Sequence, residues 1–205
     1  SLENITWERL DQASRTPPPE VPGDNARFRN PDVPLFTVGA EECGKFETES
    51  GTGAPAELTD GQRRFVDRLN RRLAMIPDRQ LILYVHGAKQ SFSSSAVFTG
   101  QINHYLGRDL VGVAFAYPVH QNILDYGIGI DVRRGNRSAE PLADFIEFLA
   151  AHTNAESINI VCWSQGGRVT SLGLQTLRQR YAGLDSDALR DKFRLGLVIF
   201  AAADV

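Results

Sequence analysis

The chain is poor in cysteine, with only Cys43 and Cys162 in 205 residues. Two thiols are too few for a disulfide framework or a cysteine-based metal site. Cys162 stands in an apolar stretch, where a free thiol packs as a small hydrophobe. Excess basic charge is also missing. The net charge is −3 and the sequence pI about 5.8, which excludes the electrostatic footprint of a nucleic-acid binder. No hydrophobic run is long. The one over residues 195–203 is about half of what a bilayer span requires, so no membrane span is expected. Nothing at Ser1 reads as a secretory leader, and neither compartment nor oligomeric state can be assigned from these features. No internal repeat is present.

What remains is an ordinary globular composition, 42% apolar and 23% charged, long enough for one domain with a substantial core. Residues 1–57 are expected to form an N-terminal extension. Four prolines between Thr16 and Gly23 rule out a helix or a central strand there and predict an extended arm. Short edge strands are expected at Val33–Val38 and Lys45–Thr48, and a loop at Glu49–Pro55.

Residues 58–205 are expected to form an α/β core. Thr59 and Gln62 have the spacing of a capping box, followed by Phe65, Leu69, Leu73 and Ile76 at helical intervals. Leu81 to Val85 is a short continuous apolar run, as suits a strand covered on both faces. A helix is expected from about Ser94, with an inner stripe of Phe98, Ile102, Tyr105 and Leu106, closed by Gly107. Leu110 to Tyr117 is the next strand, stopped by Pro118. The connection over residues 119–137 is too long for a plain loop and predicts a function or a small extra helix. Its Asp131, Arg133, Arg134 and Arg137 are expected to form a solvated charged loop, the alternative being recognition of an acidic group. Ser138 is expected to cap a helix bearing Leu142, Phe145, Ile146 and Leu149. A helical turn over Ser186–Lys192 and a last strand over Leu195–Ala203 complete the pattern.

Alternation of helix and strand predicts a mostly parallel sheet with helices on both faces and right-handed crossovers. Ligands then gather beyond the carboxyl ends of the strands, where His86, Pro118, Ser164 and Asp204 fall. The centre of the pattern is Ser157–Arg168, an apolar β-branched strand that turns into a helix. Gly166 and Gly167 supply small residues at the turn. A serine so placed is exposed above the sheet, near free N–H groups at the helix start. The alternative is a turn serine that merely caps the helix.

The turn Cys162-Trp163-Ser164-Gln165-Gly166 resembles the G-x-S-x-G nucleophile turn of α/β-hydrolases, with Cys162 in place of the first glycine. Val85-His86-Gly87-Ala88 resembles the H-G-x loop of lipases and esterases, and Ala202-Ala203-Asp204 an A-x-D strand ending. These features resemble bacterial lipase- or esterase-like members of unassigned substrate. The resemblance implies an α/β-hydrolase fold with Ser164 as nucleophile. It implies an oxyanion hole from the Ala88 and Gln165 amides, with Gly87 permitting close approach and His86 bracing the loop. Lys89 and Gln90 would line the mouth, the equal alternative being a solvated surface role. Asp204, directly after a strand, is the candidate acid, the alternatives being a helix cap or plain exposed carboxylate, with the acid then supplied further along. The family order places the catalytic histidine after Asp204, and a continuation past Val205 is expected to supply it; His120 is the substitute within this chain. No metal or organic cofactor is implied. The expected substrate is a small-molecule carboxylic ester. An amide, a thioester, acyl transfer, or a catalytically inactive binding fold are the alternatives.

Overall fold

The computed structural model describes residues 58–119 and 130–204. The expected arm, edge strands and loop of residues 1–57, and His120, lie outside the described residues.

The chain enters the described core through the capping box. Gln62 N–H donates to the Thr59 hydroxyl (3.2 Å) and Thr59 N–H to the Gln62 side chain (2.9 Å), which starts helix α1, Asp60–Leu73. Then follow β1 (Gln80–Val85), α2 (Phe92–Tyr105), β2 (Val111–Phe115), α3 (Ile130–Arg137) and α4 (Ala139–His152). The core closes with β3 (Ser157–Trp163), α5 (Gln165–Arg180), α6 (Ser186–Lys192) and β4 (Leu195–Ala201). The four strands form one parallel sheet in the order β2-β1-β3-β4. The anticipated alternation therefore holds, and α3 is the extra helix of the long connection.

Register decides what each face buries. Val113, Leu83, Ile160 and Val198 lie in one row across the sheet, and Leu81 and Ile158 share that face. This face is covered by Val66, Leu69 and Leu73 of α1, Leu142, Ile146 and Leu149 of α4, and Val169 and Leu177 of α5. Phe65 of α1 packs its ring on Phe145 and Phe148 of α4. The other face is covered over β1 by α2, where Tyr84 stacks on Phe98. A parallel sheet needs both faces covered, which explains the continuous apolar run of β1. On β4, Leu197, Ile199 and Phe200 are largely exposed, and β4 is, with β2, one of the two outer strands of the described four.

Three local expectations are corrected. The buried stripe of α2 is Ser95 and Thr99, whereas Phe98 and Tyr105 are exposed. The cause is Gly112 on β2: the Thr99 methyl sits where a β-carbon of residue 112 would go, so the helix lies close on its small side. Ser138 does not cap α4. Its backbone is helical and its hydroxyl donates to the Arg134 carbonyl (2.9 Å), so α3 runs almost directly into α4. The charged segment from Asp131 is not a solvated loop but helix α3, with Asp131 fully buried and Arg134 beside it at 3.3 Å.

Candidate active site

The order β2-β1-β3-β4 places the topological switch point between β1 and β3, because the connections from these neighbours leave in opposite directions. The carboxyl ends of β1 and β3 carry His86-Gly87-Ala88 and Ser164. The fold thus brings the two sequence motifs to one crevice.

Ser164 links β3 to α5 with φ 49° and ψ −122°, outside the regions that L-residues ordinarily occupy. The serine itself carries the strained torsion, as a strand-turn-helix of this kind demands. Gly166 serves by its size: a β-carbon there would collide with the carbonyl oxygens of Val85 and His86, so only glycine lets α5 start this close to β1. Ser164 stands at the N-cap of α5, yet its side chain makes no capping hydrogen bond. The backbone is held from three sides. Ser164 N–H donates to Ala201 O (3.0 Å), and Ser164 O accepts from Gly167 N–H (2.9 Å) and Asp204 N–H (2.9 Å).

Gly87 lies against this turn. Its hypothetical β-carbon would stand 3.1 Å from the Ser164 β-carbon and 3.0 Å from the Trp163 carbonyl oxygen. The backbone of the His-Gly loop therefore reaches the serine with no room for a side chain. Ala88 and Lys89 form the turn that follows, Lys89 exposed with φ 61°. Gln90 accepts a hydrogen bond from the buried Tyr84 hydroxyl (3.1 Å), whose pKa burial raises, so it anchors the end of this loop.

His86 does not face a ligand. It is fully buried, stacked parallel on Tyr117 at 4.2 Å. Its Nδ1 is 2.7 Å from Gly87 O, and its Nε2 is 3.0 Å from both Tyr117 N and Tyr117 O. The neutral tautomer that donates Nδ1–H to Gly87 O accepts Tyr117 N–H at Nε2. The Tyr117 hydroxyl returns a bond to His86 O (2.9 Å). Burial pushes the imidazole pKa below its ordinary value, with the Gly87 and Tyr117 carbonyls opposing. The ring ties the tip of β1 to the tip of β2, as a brace would.

Gln165, next after the serine, is fully buried. Its side-chain amide donates to Asp131 O (2.5 Å) of α3 and packs on Gly135. The sequence pattern points only to its backbone amide. Cys162 is buried at the position of the usual first glycine, with its thiol directed at Ile199 O (3.3 Å) and its pKa raised by burial.

Asp204 lies three residues past β4. The strand was expected to run to Ala203, but Ala202 adopts φ 45° and bends the chain back over the sheet edge. This bend brings Asp204 N–H to Ser164 O, so the aspartate and the serine share one rim. Its carboxylate pairs with Arg168 of α5, Nη2 to Oδ1 at 3.0 Å. Arg168 was missed in the sequence. The available signal was its spacing, four residues after Ser164 on the same helix.

The remaining described histidines are at the other end of the sheet. Parallel crossovers return each helix from the carboxyl edge to the amino edge, so His104 and His152, in the last turns of α2 and α4, stand near the strand starts. β3 alone spans seven residues, roughly 20 Å. His104 accepts from Arg108 Nε (3.1 Å), and the His152 ring packs on Phe148. Among the described residues, no three His, Cys, Asp or Glu side chains gather to hold a metal ion, and no helix is long and apolar enough to cross a membrane.

Neither a curated protein nor a solved structure matches the chain. A family model described as alpha/beta hydrolase of unknown function (DUF900) matches residues 62–205, more than two thirds of the chain. The parallel sheet, its switch point between β1 and β3 and this match agree, and the chain belongs to that α/β-hydrolase family.

Proposed function

We infer that this hydrolase cleaves carboxylic esters through an acyl-enzyme, with Ser164 as the nucleophile. The observation that carries the reading is the turn itself: a serine in strained geometry at the start of α5, not used as a cap, pressed against a glycine backbone from β1. Helix starts leave N–H groups without internal partners. The Gln165 amide is one, and the Ala88 amide from the His-Gly loop is the proposed second. Two donors aimed at a developing oxyanion contribute about 3 kcal/mol each.

The chemistry follows from these parts. The Ser164 Oγ forms a bond to the ester carbonyl carbon as its proton passes to an imidazole. The carbonyl electron pair moves onto oxygen, where the two amides receive it. Collapse of the tetrahedral intermediate breaks the bond to the alcohol oxygen, which takes the proton from the imidazolium. Water then repeats the sequence on the acyl-enzyme and releases the acid. Asp204 is the proposed acid that orients the imidazole. The base is a histidine outside the described residues, because His86 is committed to the loop and His104 and His152 stand at the opposite edge. His120 is the one such histidine within this chain.

The test uses the full chain with a fluorophosphonate probe and a panel of p-nitrophenyl esters. Wild type is expected to label at Ser164, and Ser164→Ala to lose labelling and about 10³-fold or more of turnover. Equal turnover by the two proteins sinks the reading. Absence of labelling in wild type favours a binding role for the fold. Hydrolysis of amides or thioesters in preference to esters moves the substrate class and keeps the nucleophile.

A further inference from the structure

We propose that Arg168 is a positioning residue for Asp204, holding its carboxylate at the rim beside Ser164. This rests on the serine-hydrolase reading above. Three observations carry it. Arg168 sits in the first turn of α5, so the helix that begins at the serine also supplies the cation. Its Nη2 meets Asp204 Oδ1 at 3.0 Å, while Asp204 N–H is already bonded to Ser164 O. Main chain and side chain of the aspartate are thereby both referenced to the same turn, one through residue 164 and one through residue 168. Lastly, the Arg168 Nε is buried and has no hydrogen-bond partner. With Nε unpaired, the bond at Nη2 to Asp204 is the contact that directs this guanidinium.

Stability offers little alternative purpose. Both side chains are about one-third exposed, and ion pairs of that kind contribute little to folding. An orienting role is different, because displacement of a reacting group by about 1 Å costs on the order of 10²-fold in rate. Arg168 therefore acts through Asp204 and touches no substrate in this proposal.

A double-mutant cycle on Ser164 labelling by the fluorophosphonate, in the full chain, separates the possibilities. Arg168→Gln is expected to slow labelling by about tenfold or more with the melting temperature nearly unchanged. In an Asp204→Asn background the same substitution is expected to have almost no further effect. Arg168→Lys, which keeps a cation able to meet a single oxygen, is expected to recover most of the rate. Equal slowing by Arg168→Gln in both backgrounds overturns the proposal, as does failure of Lys to rescue. A wild type that does not label overturns the hydrolase reading and this inference with it. Normal wild-type labelling with an unaffected Arg168→Gln overturns the inference alone.

Discussion

Ser164 follows β3 in a backbone state few L-residues adopt, and such a state costs on the order of 1–3 kcal/mol. Its neighbours hold it there. Gly166 shows how tightly: Gly166→Ala would drive a methyl into two backbone carbonyls, neither of which can move without shifting β1. We expect a loss of about 3 kcal/mol or more in urea unfolding. Gly100 is the control, since nothing lies within 4 Å of its added methyl and it sits inside α2. Gly100→Ala should instead raise stability by about 0.5–1 kcal/mol. His86 gives a pH-dependent outcome. Its pKa is depressed in the folded protein, so the unfolded chain takes up a proton as pH falls through 6.5 while the buried ring does not. Stability from this group is full above 6.5, falls below it, and levels off beneath the folded pKa. At pH 7.5, His86→Gln should cost about 1–3 kcal/mol through unmet partners at Gly87 and Tyr117. That gap should narrow as the pH is lowered from 6.5, and a constant gap would mean that burial does not hold the ring neutral.

Among the elements, helix ends separate what local chemistry decides from what packing decides. The Thr59 cap is purely local: hydroxyl, amide and side chain lie within three residues of each other, and the expected box is the observed one. Thr59→Ala should cost about 1 kcal/mol. Ser138→Ala should cost clearly less, because that hydroxyl bonds a carbonyl of α3 and caps nothing. Thermal unfolding of the two variants checks the order. The end of α2 is local as well: Gly107, at φ 89°, and Arg108 donate to His104 O and Asn103 O and close the helix where expected. The face that α2 buries is not local. Ser95 and Thr99 share Ile102 and Leu106 with the more apolar stripe, so hydrophobic spacing alone picks the wrong side. Gly112, on another element, settles it.

For the molecule as a whole, the sheet order ranks the strands by protection. β1 and β3 are central and buried, whereas β4 is paired on one side among the described strands and exposes Leu197, Ile199 and Phe200. Local opening is cheapest where few apolar contacts are lost. Amide hydrogen exchange should therefore be slowest in peptides from 81–85 and 158–162 and faster in 195–201. Exchange from β4 as slow as from β1 would contradict this ranking. The same order builds the site: Leu81 and its register partner Ile158 are neighbours across β1 and β3 although 77 positions apart in the chain, and only that adjacency sets Gly87 against Ser164.

Periodicity, caps and turn residues lie within a few positions of one another, and so the sequence by itself determined the α/β alternation, the capping box, the strand-turn-helix at Ser164 and the His-Gly loop. Tertiary structure alone decided matters that depend on distant backbones. It set His86 between Gly87 and Tyr117, buried Asp131, turned the Gln165 side chain onto α3, and brought Arg168 to Asp204. Each of these contacts joins the tips of different elements, and no local pattern encodes which tips will meet. Strand order fixes that, through which apolar faces can be covered together.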